Sequence, residues 1–301
     1  MSVIAMTGGT GFVGSRLIEQ ALAAGHQVRA LTRRAQQPRE GLQWIDGALD
    51  DPRSLARLVE GADAIVHVAG VVNAPDRAGF AAGNIAGTEA MLAAASDSGI
   101  RRFVHVSSLA AREPALSDYG WSKAEAEARV VASDRDWTVV RPPAVYGPAD
   151  MEMREMFRLA TFGLALLPSP GRLSVIHVDD LAALLLVLAQ SDAGRLILEA
   201  DDGVAGGWTH KEFGRALGAA VGKRVLPIPL PHGLMMLAAR GDRLVRGKKA
   251  KLTPDRVDYF CHPDWTVDPD KRPPSQLWQP KIATPDGLAA TAAWYRANGL
   301  L

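Results

Sequence analysis

Thr7-Gly8-Gly9-Thr10-Gly11-Phe12-Val13-Gly14 follows the apolar run Val3-Ile4-Ala5-Met6 and precedes a stretch whose apolar residues recur at helical spacing until Gly25 stops it. The order is strand, tight turn, helix. Glycines at 8, 11 and 14 strip the turn of side chains, so an anionic group can reach bare backbone at the positive end of the helix dipole. A glycine triplet alone fits an ordinary tight turn. Its place between an N-terminal strand and the first helix makes it read as the pyrophosphate site of a dinucleotide.

The same alternation continues outward. A strand is expected at 27–31, followed by a polar loop and a helix that starts at Pro52, with Asp51 as N-cap, and runs to about 60. Strands at 63–68, 102–107 and 137–141 alternate with helices at about 80–98 and 119–132, and Pro142-Pro143 halts the last strand. These strands are apolar almost throughout, which predicts a parallel sheet covered on both faces: an α/β, Rossmann-type doubly wound fold over residues 1–150. After Pro148 the chain becomes a mixture dense in Met, Pro and Gly. Residues 173–178 and a helix at 180–190 suggest a return to the sheet, so about 171–198 should complete the dinucleotide domain. A smaller substrate lobe then comprises 151–170 and about 199–284, and 285–301 forms a C-terminal helix carrying Leu288, Ala292 and Trp294.

Composition bounds what such a fold can do. The 301 residues carry 34 basic and 33 acidic side chains, a formal charge of +1, which argues against a protein whose work is electrostatic capture of nucleic acid or of an anionic membrane. The one cysteine, Cys261, has no partner for an intrachain disulfide. The N-terminal apolar run is too short for a signal peptide. The longest uninterrupted apolar stretch, 181–189, falls short of the roughly 20 residues that span a bilayer. A cytoplasmic protein with no transmembrane segment is expected.

Two further patterns carry chemistry. The second strand ends Leu31-Thr32-Arg33-Arg34, where an NAD site would place a carboxylate for the adenosine ribose; two guanidinium groups instead suit a 2′-phosphate. NADP(H) is the expected cofactor, with NAD(H) as the alternative, and Arg33 and Arg34 as candidate contacts. In Tyr119-Gly-Trp-Ser-Lys123 the phenol and the ammonium stand four residues apart on one helix face, and the positive charge favours phenolate. Ser107-Ser108 ends the preceding strand, at the edge where a parallel sheet binds ligands.

Together these residues resemble the short-chain dehydrogenase/reductase superfamily, in its extended, epimerase/dehydratase-like branch. Further matches are His67-Val68-Ala69-Gly70, Asn84-Ile-Ala-Gly87-Thr88, Arg141-Pro-Pro-Ala-Val-Tyr-Gly147-Pro148 and Ile176-His-Val-Asp-Asp180-Leu-Ala, covering roughly the first 190 residues. The resemblance implies that Tyr119 is the acid/base, that Lys123 holds the nicotinamide ribose and lowers the tyrosine pKa, and that Ser108 orients the substrate oxygen, with Ser107 as the alternative serine. It also implies that Gly8, Gly11, Phe12, Val13 and Gly14 hold the pyrophosphate, that Leu49 lies near the adenine, that Ala69 and Gly70 border the ribose, and that Pro142 to Val145 flank the nicotinamide amide. Two departures stand out. Gly47-Ala48-Leu49 lacks the aspartate that the branch commonly places near the adenine. Ser108 and Tyr119 are also separated by a shorter segment than in sugar-nucleotide members, as in hydroxysteroid or dihydroflavonol-reductase-like members.

The remaining signals have simpler readings. His177 beside Asp179 and Asp180 reads as a buried or capping histidine with an N-cap aspartate, and no metal site is expected. His67 and His105 read as satisfied sheet histidines. The Met151, Met153, Met156, Phe157 and Phe162 cluster reads either as plastic core or as an apolar substrate wall, with Met151 and Met153 as candidate substrate contacts. The apolar and basic stretch 234–251 reads as a lobe helix with a solvated basic end, with a helix that lies on an anionic membrane surface or grips a partner as the alternative.

The expected activity is NADP(H)-dependent interconversion of a secondary alcohol and a ketone or aldehyde on a fairly apolar small molecule. An epimerase or dehydratase with a retained nicotinamide, and a non-catalytic NADP(H)-binding structural or regulatory protein, are the alternatives. Oligomeric state is left open.

Overall fold

The computed structural model describes residues 1–168, 170–247 and 253–301. The first half alternates as expected: β1 (Val3–Thr7), α1 (Phe12–Ala23), β2 (Gln27–Thr32), β3 (Leu42–Asp46), α2 (Pro52–Val59), β4 (Ala64–His67), α3 (Arg77–Phe80), a π-helical turn (Ala81–Ala86), α4 (Gly87–Asp97), β5 (Arg102–Val106), a 3-10 turn (Leu109–Arg112), α5 (Asp118–Val131) and β6 (Asp136–Val140). The second half comprises β7 (Ala144–Tyr146), α6 (Arg154–Thr161), β8 (Leu164–Leu167), β9 (Arg172–Leu173), β10 (Val175–His177), α7 (Val178–Gln190), β11 (Leu196–Leu198) and β12 (Trp208–Thr209). It ends with α8 (His210–Ala220), β13 (Leu226–Pro229), α9 (His232–Arg246), α10 (Pro254–Phe260), β14 (Asp264–Trp265) and α11 (Thr284–Ala297).

Among the described residues, seven strands form one parallel sheet in the order β3-β2-β1-β4-β5-β6-β11. Side chains alternate across it, and both faces are covered. Ile4, Met6, Val28 and Val104 bury against Leu17 of α1 and Leu181, Leu184 and Leu185 of α7. Ala5, Ile65, Phe103 and Val139 bury against Leu55 and Leu58 of α2, Met91 of α4 and Val130 of α5. The strand order reverses between β1 and β4, which opens a crevice at their carboxyl ends, and the glycine turn lies beside it.

Three expectations need correction. The loop predicted after the second strand contains β3, an edge strand in which only Ile45 is buried, so its alternation was too polar to stand out. Residues 173–178 do not return to the main sheet, because β10 pairs with β7; the seventh strand is β11, three residues long. Pro142-Pro143 ends β6, and β7 leaves the sheet taking β10 with it. The helix expected at 80–98 starts earlier, where Asp76 accepts from the Gly79 N–H at 2.9 Å, and passes through the π-helical turn before α4.

The lobe has its own core. Tyr146, Phe157, Phe213 and Leu217 pack with Leu288, Ala292 and Tyr295 of α11, so the C-terminal helix is a structural part of the lobe, with Trp294 half-buried beside it. The lobe's strands form a parallel β8–β13 pair and a β12-β9-β14 sheet. Fully buried Glu199, just after β11, ties the two parts together: it lies 3.3 Å from Arg112, 3.4 Å from Arg141 and 3.9 Å from Lys271 and accepts from the Asp268 N–H.

Candidate active site

At the crevice, α1 begins with Gly11 as N-cap and no side chain caps it, so the first backbone N–H groups, from Phe12, Val13 and Gly14, face the turn without a side-chain acceptor. Gly14 is needed for packing, since a Cβ there would stand 2.1 Å from the Gly8 carbonyl oxygen. Gly8 has φ +75°, and a Cβ on it would stand 2.8 Å from the Ala69 nitrogen. Thr7 Oγ1 accepts from the Ala69 N–H at 3.1 Å and bonds His67 Nδ1 at 2.7 Å, fixing the loop after β4 over the turn. This is a cradle shaped for a dinucleotide.

At the end of β2, Thr32 Oγ1 donates to the Arg34 carbonyl at 2.7 Å. Arg33 and Arg34 are both exposed, and neither guanidinium makes an ion pair or hydrogen bond among the described residues. Leu49 is half-buried against Gly87, where a Cβ would stand 2.7 Å from its Cδ1. It supplies an apolar surface there.

Ser117 caps α5 by accepting from the Gly120 N–H at 3.0 Å, which places Tyr119 in the first turn and Lys123 one turn on. Lys123 is buried and its Nζ donates to the Val106 carbonyl at 2.8 Å. Burial lowers its pKa to about 8, against a smaller opposing pull from Glu127. Tyr119 is raised above its ordinary value by burial, against the pull of the Ser108 hydroxyl and of the Arg256 charge. Ser108 is buried and accepts from the Ala110 N–H at 3.2 Å. Ser107 is buried with a hydroxyl that has no partner among the described residues, one residue beyond the carbonyl that Lys123 holds. A cofactor fits this arrangement. Gly70 lies so close to the Lys123 ammonium that a Cβ would stand 3.3 Å from Nζ, and Ser107 leaves one buried polar atom unmatched.

Ser108 and Tyr119 open onto a cleft of about 1750 Å³ between the sheet edge and the lobe. Pro143, Ala144 and Val145 line it, whereas Pro142 is buried and accepts from the Leu109 N–H. Met153 and Met156 belong to its wall; Met151 and Phe162 are exposed and Phe157 lies in the lobe core, outside that wall.

Residues 8–189 match the NAD(P)H-binding family. The chain is 36% identical over 310 residues to the ceramide reductase of Caulobacter vibrioides, covering 99% of this chain and 96% of that protein. The chain belongs to the short-chain dehydrogenase/reductase superfamily, in its extended branch. It is an NAD(P)-dependent enzyme. Sterol demethylase protein B of Methylococcus capsulatus is 27% identical over 98% of this chain and 99% of its own length. The solved structure of MoeE5 with UDP-glucuronic acid and NAD superimposes with a TM-score of 0.75 at 20% identity, covering 99% of this chain and 100% of that one.

Several residues of this dehydrogenase/reductase were given no role by sequence reasoning. Asn84 lies in the π-helical turn; its side chain accepts from the Val71 N–H at 2.7 Å and donates to the Val71 carbonyl at 3.0 Å and to Ser122 Oγ at 2.8 Å. It clamps the loop after Gly70 to the helix bearing Tyr119 and Lys123, and π-helical turns concentrate at such sites. Arg256 and Tyr259 of α10 face Tyr119 from the lobe, and each is coupled electrostatically to it. Nothing in a local motif marks them, because they meet Tyr119 only across the cleft.

The histidines divide. His67 is satisfied, bonded to Thr7 and, at 3.2 Å, to Thr88; burial and the Lys123 charge push its pKa down to about 3. His105 is buried and stacked on His67 with centroids 5.5 Å apart, but neither ring nitrogen has a hydrogen-bond partner among the described residues, contrary to the satisfied state expected. His177 caps α7 by accepting from the Asp179 N–H at 3.2 Å. The aspartate expected as N-cap acts elsewhere, since Asp180 accepts from the Lys281 and Ile282 N–H groups and so anchors the approach to α11.

Proposed function

We propose that this enzyme is an NADPH-dependent reductase that converts a ketone to a secondary alcohol on an amphipathic, long-chain lipid of the ceramide type. The supporting observation is the junction of Ser108 and Tyr119 with the large cleft, whose far walls carry Leu166, Leu167, Phe213, Leu230, Met235 and Phe260. Pockets for drug-sized ligands measure about 300–1,000 Å³, so this one has room for extended acyl chains. The ceramide reductase likeness over the full length points the same way.

Ser108, whose oxygen accepts from the Ala110 N–H and whose hydroxyl lies against the Tyr119 phenol, turns its O–H to the carbonyl oxygen when substrate is bound. Tyr119, neutral because burial raises its pKa, donates its proton to that oxygen and recovers it from solvent. Lys123 holds the ribose side and lends positive charge, while its bond to Val106 fixes its position. The glycine turn would hold the pyrophosphate of bound NADPH and Ala69 and Gly70 would border its ribose; the cofactor, when bound, would supply the hydride for the carbonyl carbon. Arg33 and Arg34 take the 2′-phosphate.

A panel of keto lipids of rising acyl length, with NADPH oxidation followed, tests the substrate class. Expected is a kcat/KM that climbs with chain length and no turnover of UDP-sugars. Turnover of UDP-sugars without keto-lipid reduction would overturn the reading in favour of an epimerase or dehydratase. For the cofactor, NADPH should bind more tightly than NADH. Replacing Arg33 and Arg34 together by Ala should raise the NADPH dissociation constant roughly tenfold or more and leave that of NADH nearly unchanged. Equal losses for both cofactors would place the arginines away from the phosphate.

A further inference from the structure

Helix α9 has two apolar sides where a lobe helix needs one. Met235, Met236 and fully buried Ala239 face the protein, and α9 packs on α10. On the other side Leu234, Leu237, Leu244 and Val245, spaced at helical intervals, are 53%, 66%, 88% and 85% exposed. A stripe of that kind has a cost in water and calls for a covering surface.

Its charge and position say which surface. The helix sequence carries Arg240, Arg243 and Arg246 against Asp242, and Lys248, Lys249 and Lys251, outside the described residues, follow in the chain, whereas the whole protein has a formal charge of only +1. The stripe also adjoins the mouth of the substrate cleft: Leu166, Leu244 and Phe260 are exposed and line the cleft at once, and exposed Arg240 lines it too. We propose that α9 seats on an anionic phospholipid surface, with the leucines in the interfacial layer, Arg240 at the phosphates, and the cleft mouth turned toward the bilayer. An interfacial helix combines these features, an apolar face and basic side chains, without being long enough or apolar enough to cross. A carbonyl compound dissolved in the bilayer could then enter the cleft without passing through water. Docking of this kind is independent of the headgroup that the substrate bears.

Flotation of the full chain loaded with NADPH tests the proposal, using vesicles of phosphatidylcholine alone and of phosphatidylcholine with phosphatidylglycerol. Expected is binding to the anionic vesicles that weakens as salt is raised, with little binding to the neutral ones. Leu234→Ser/Leu237→Ser/Val245→Ser, at positions that do not line the cleft, should lower the partition onto anionic vesicles roughly tenfold or more, with the NADPH dissociation constant unchanged. Absence of binding to anionic vesicles, or binding that the triple variant retains in full, would overturn it. So would a dimer that dissociates in the triple variant while the wild type ignores vesicles, because the stripe would then be covered by a second copy. Keto-lipid turnover in detergent, measured alongside, separates a failure of docking from a failure of the proposed activity.

Discussion

Tyr119→Phe is expected to lower kcat for carbonyl reduction by roughly two to four orders of magnitude, the usual contribution of a positioned general acid. The dissociation constant for NADPH should change little. The variant removes one hydroxyl and keeps the ring, which packs against Phe80 with centroids 6.1 Å apart, and Ser117 still caps the helix that presents it. Ser108 remains to polarise the carbonyl, so turnover should persist at a low level. Tyr259 is the nearby alternative donor, but burial and the neighbouring Tyr119 both push its pKa up, making it a poorer acid. Single-turnover measurements, which isolate the chemical step, would remove Tyr119 from the acid role if the variant stayed within tenfold of wild type.

Lys123→Met is expected to reduce turnover by a comparable factor and, unlike the tyrosine change, to weaken NADPH binding, because Lys123 is next to both Gly70 and the Val106 carbonyl. It should also alter the pH dependence of stability in a defined direction. Burial lowers the ammonium from an ordinary 10.5 to about 8, so below about pH 8 both folded and unfolded chains carry the charge and the fold bears its full burial cost. Between about 8 and 10.5 the folded chain loses the proton while the unfolded chain keeps it, so this residue's contribution to stability improves as pH rises. Above that range the contribution is constant. Across it, cofactor-free wild type should gain on Lys123→Met by on the order of 3 kcal/mol. Denaturant unfolding of both proteins at about pH 7 and about pH 10 measures the difference. A gap that stays level would mean that Lys123 is not held as a buried cation.

The site was legible where its chemistry sits in local motifs. Gly8, Gly11 and Gly14 lie on one turn, Tyr119 and Lys123 on one helix face, and Ser107-Ser108 at one strand end, so neighbours in space are near neighbours in the chain or follow from the order of a parallel sheet. Asn84 belongs to a recognisable motif but received no role, because its bonds to Val71 and Ser122 depend on a π-helical turn that periodicity does not register. β3 and β11 escaped notice for opposite reasons, one by being polar at an edge and the other by spanning three residues.

By itself the sequence determined the α/β class, the glycine turn between β1 and α1 and the placing of Ser108, Tyr119 and Lys123 near one another, since each depends on interactions within a few residues or one β/α repeat. Tertiary structure alone decided the seventh strand, the size and apolar walls of the cleft, the approach of Arg256 and Tyr259 to Tyr119, and the outward side of α9. β11 pairs with β6 across nearly sixty residues, and Arg256 and Tyr259 lie more than a hundred residues from Tyr119. Those features arise from how the lobe packs against the sheet edge, and local propensity and hydrophobic period carry no record of that packing.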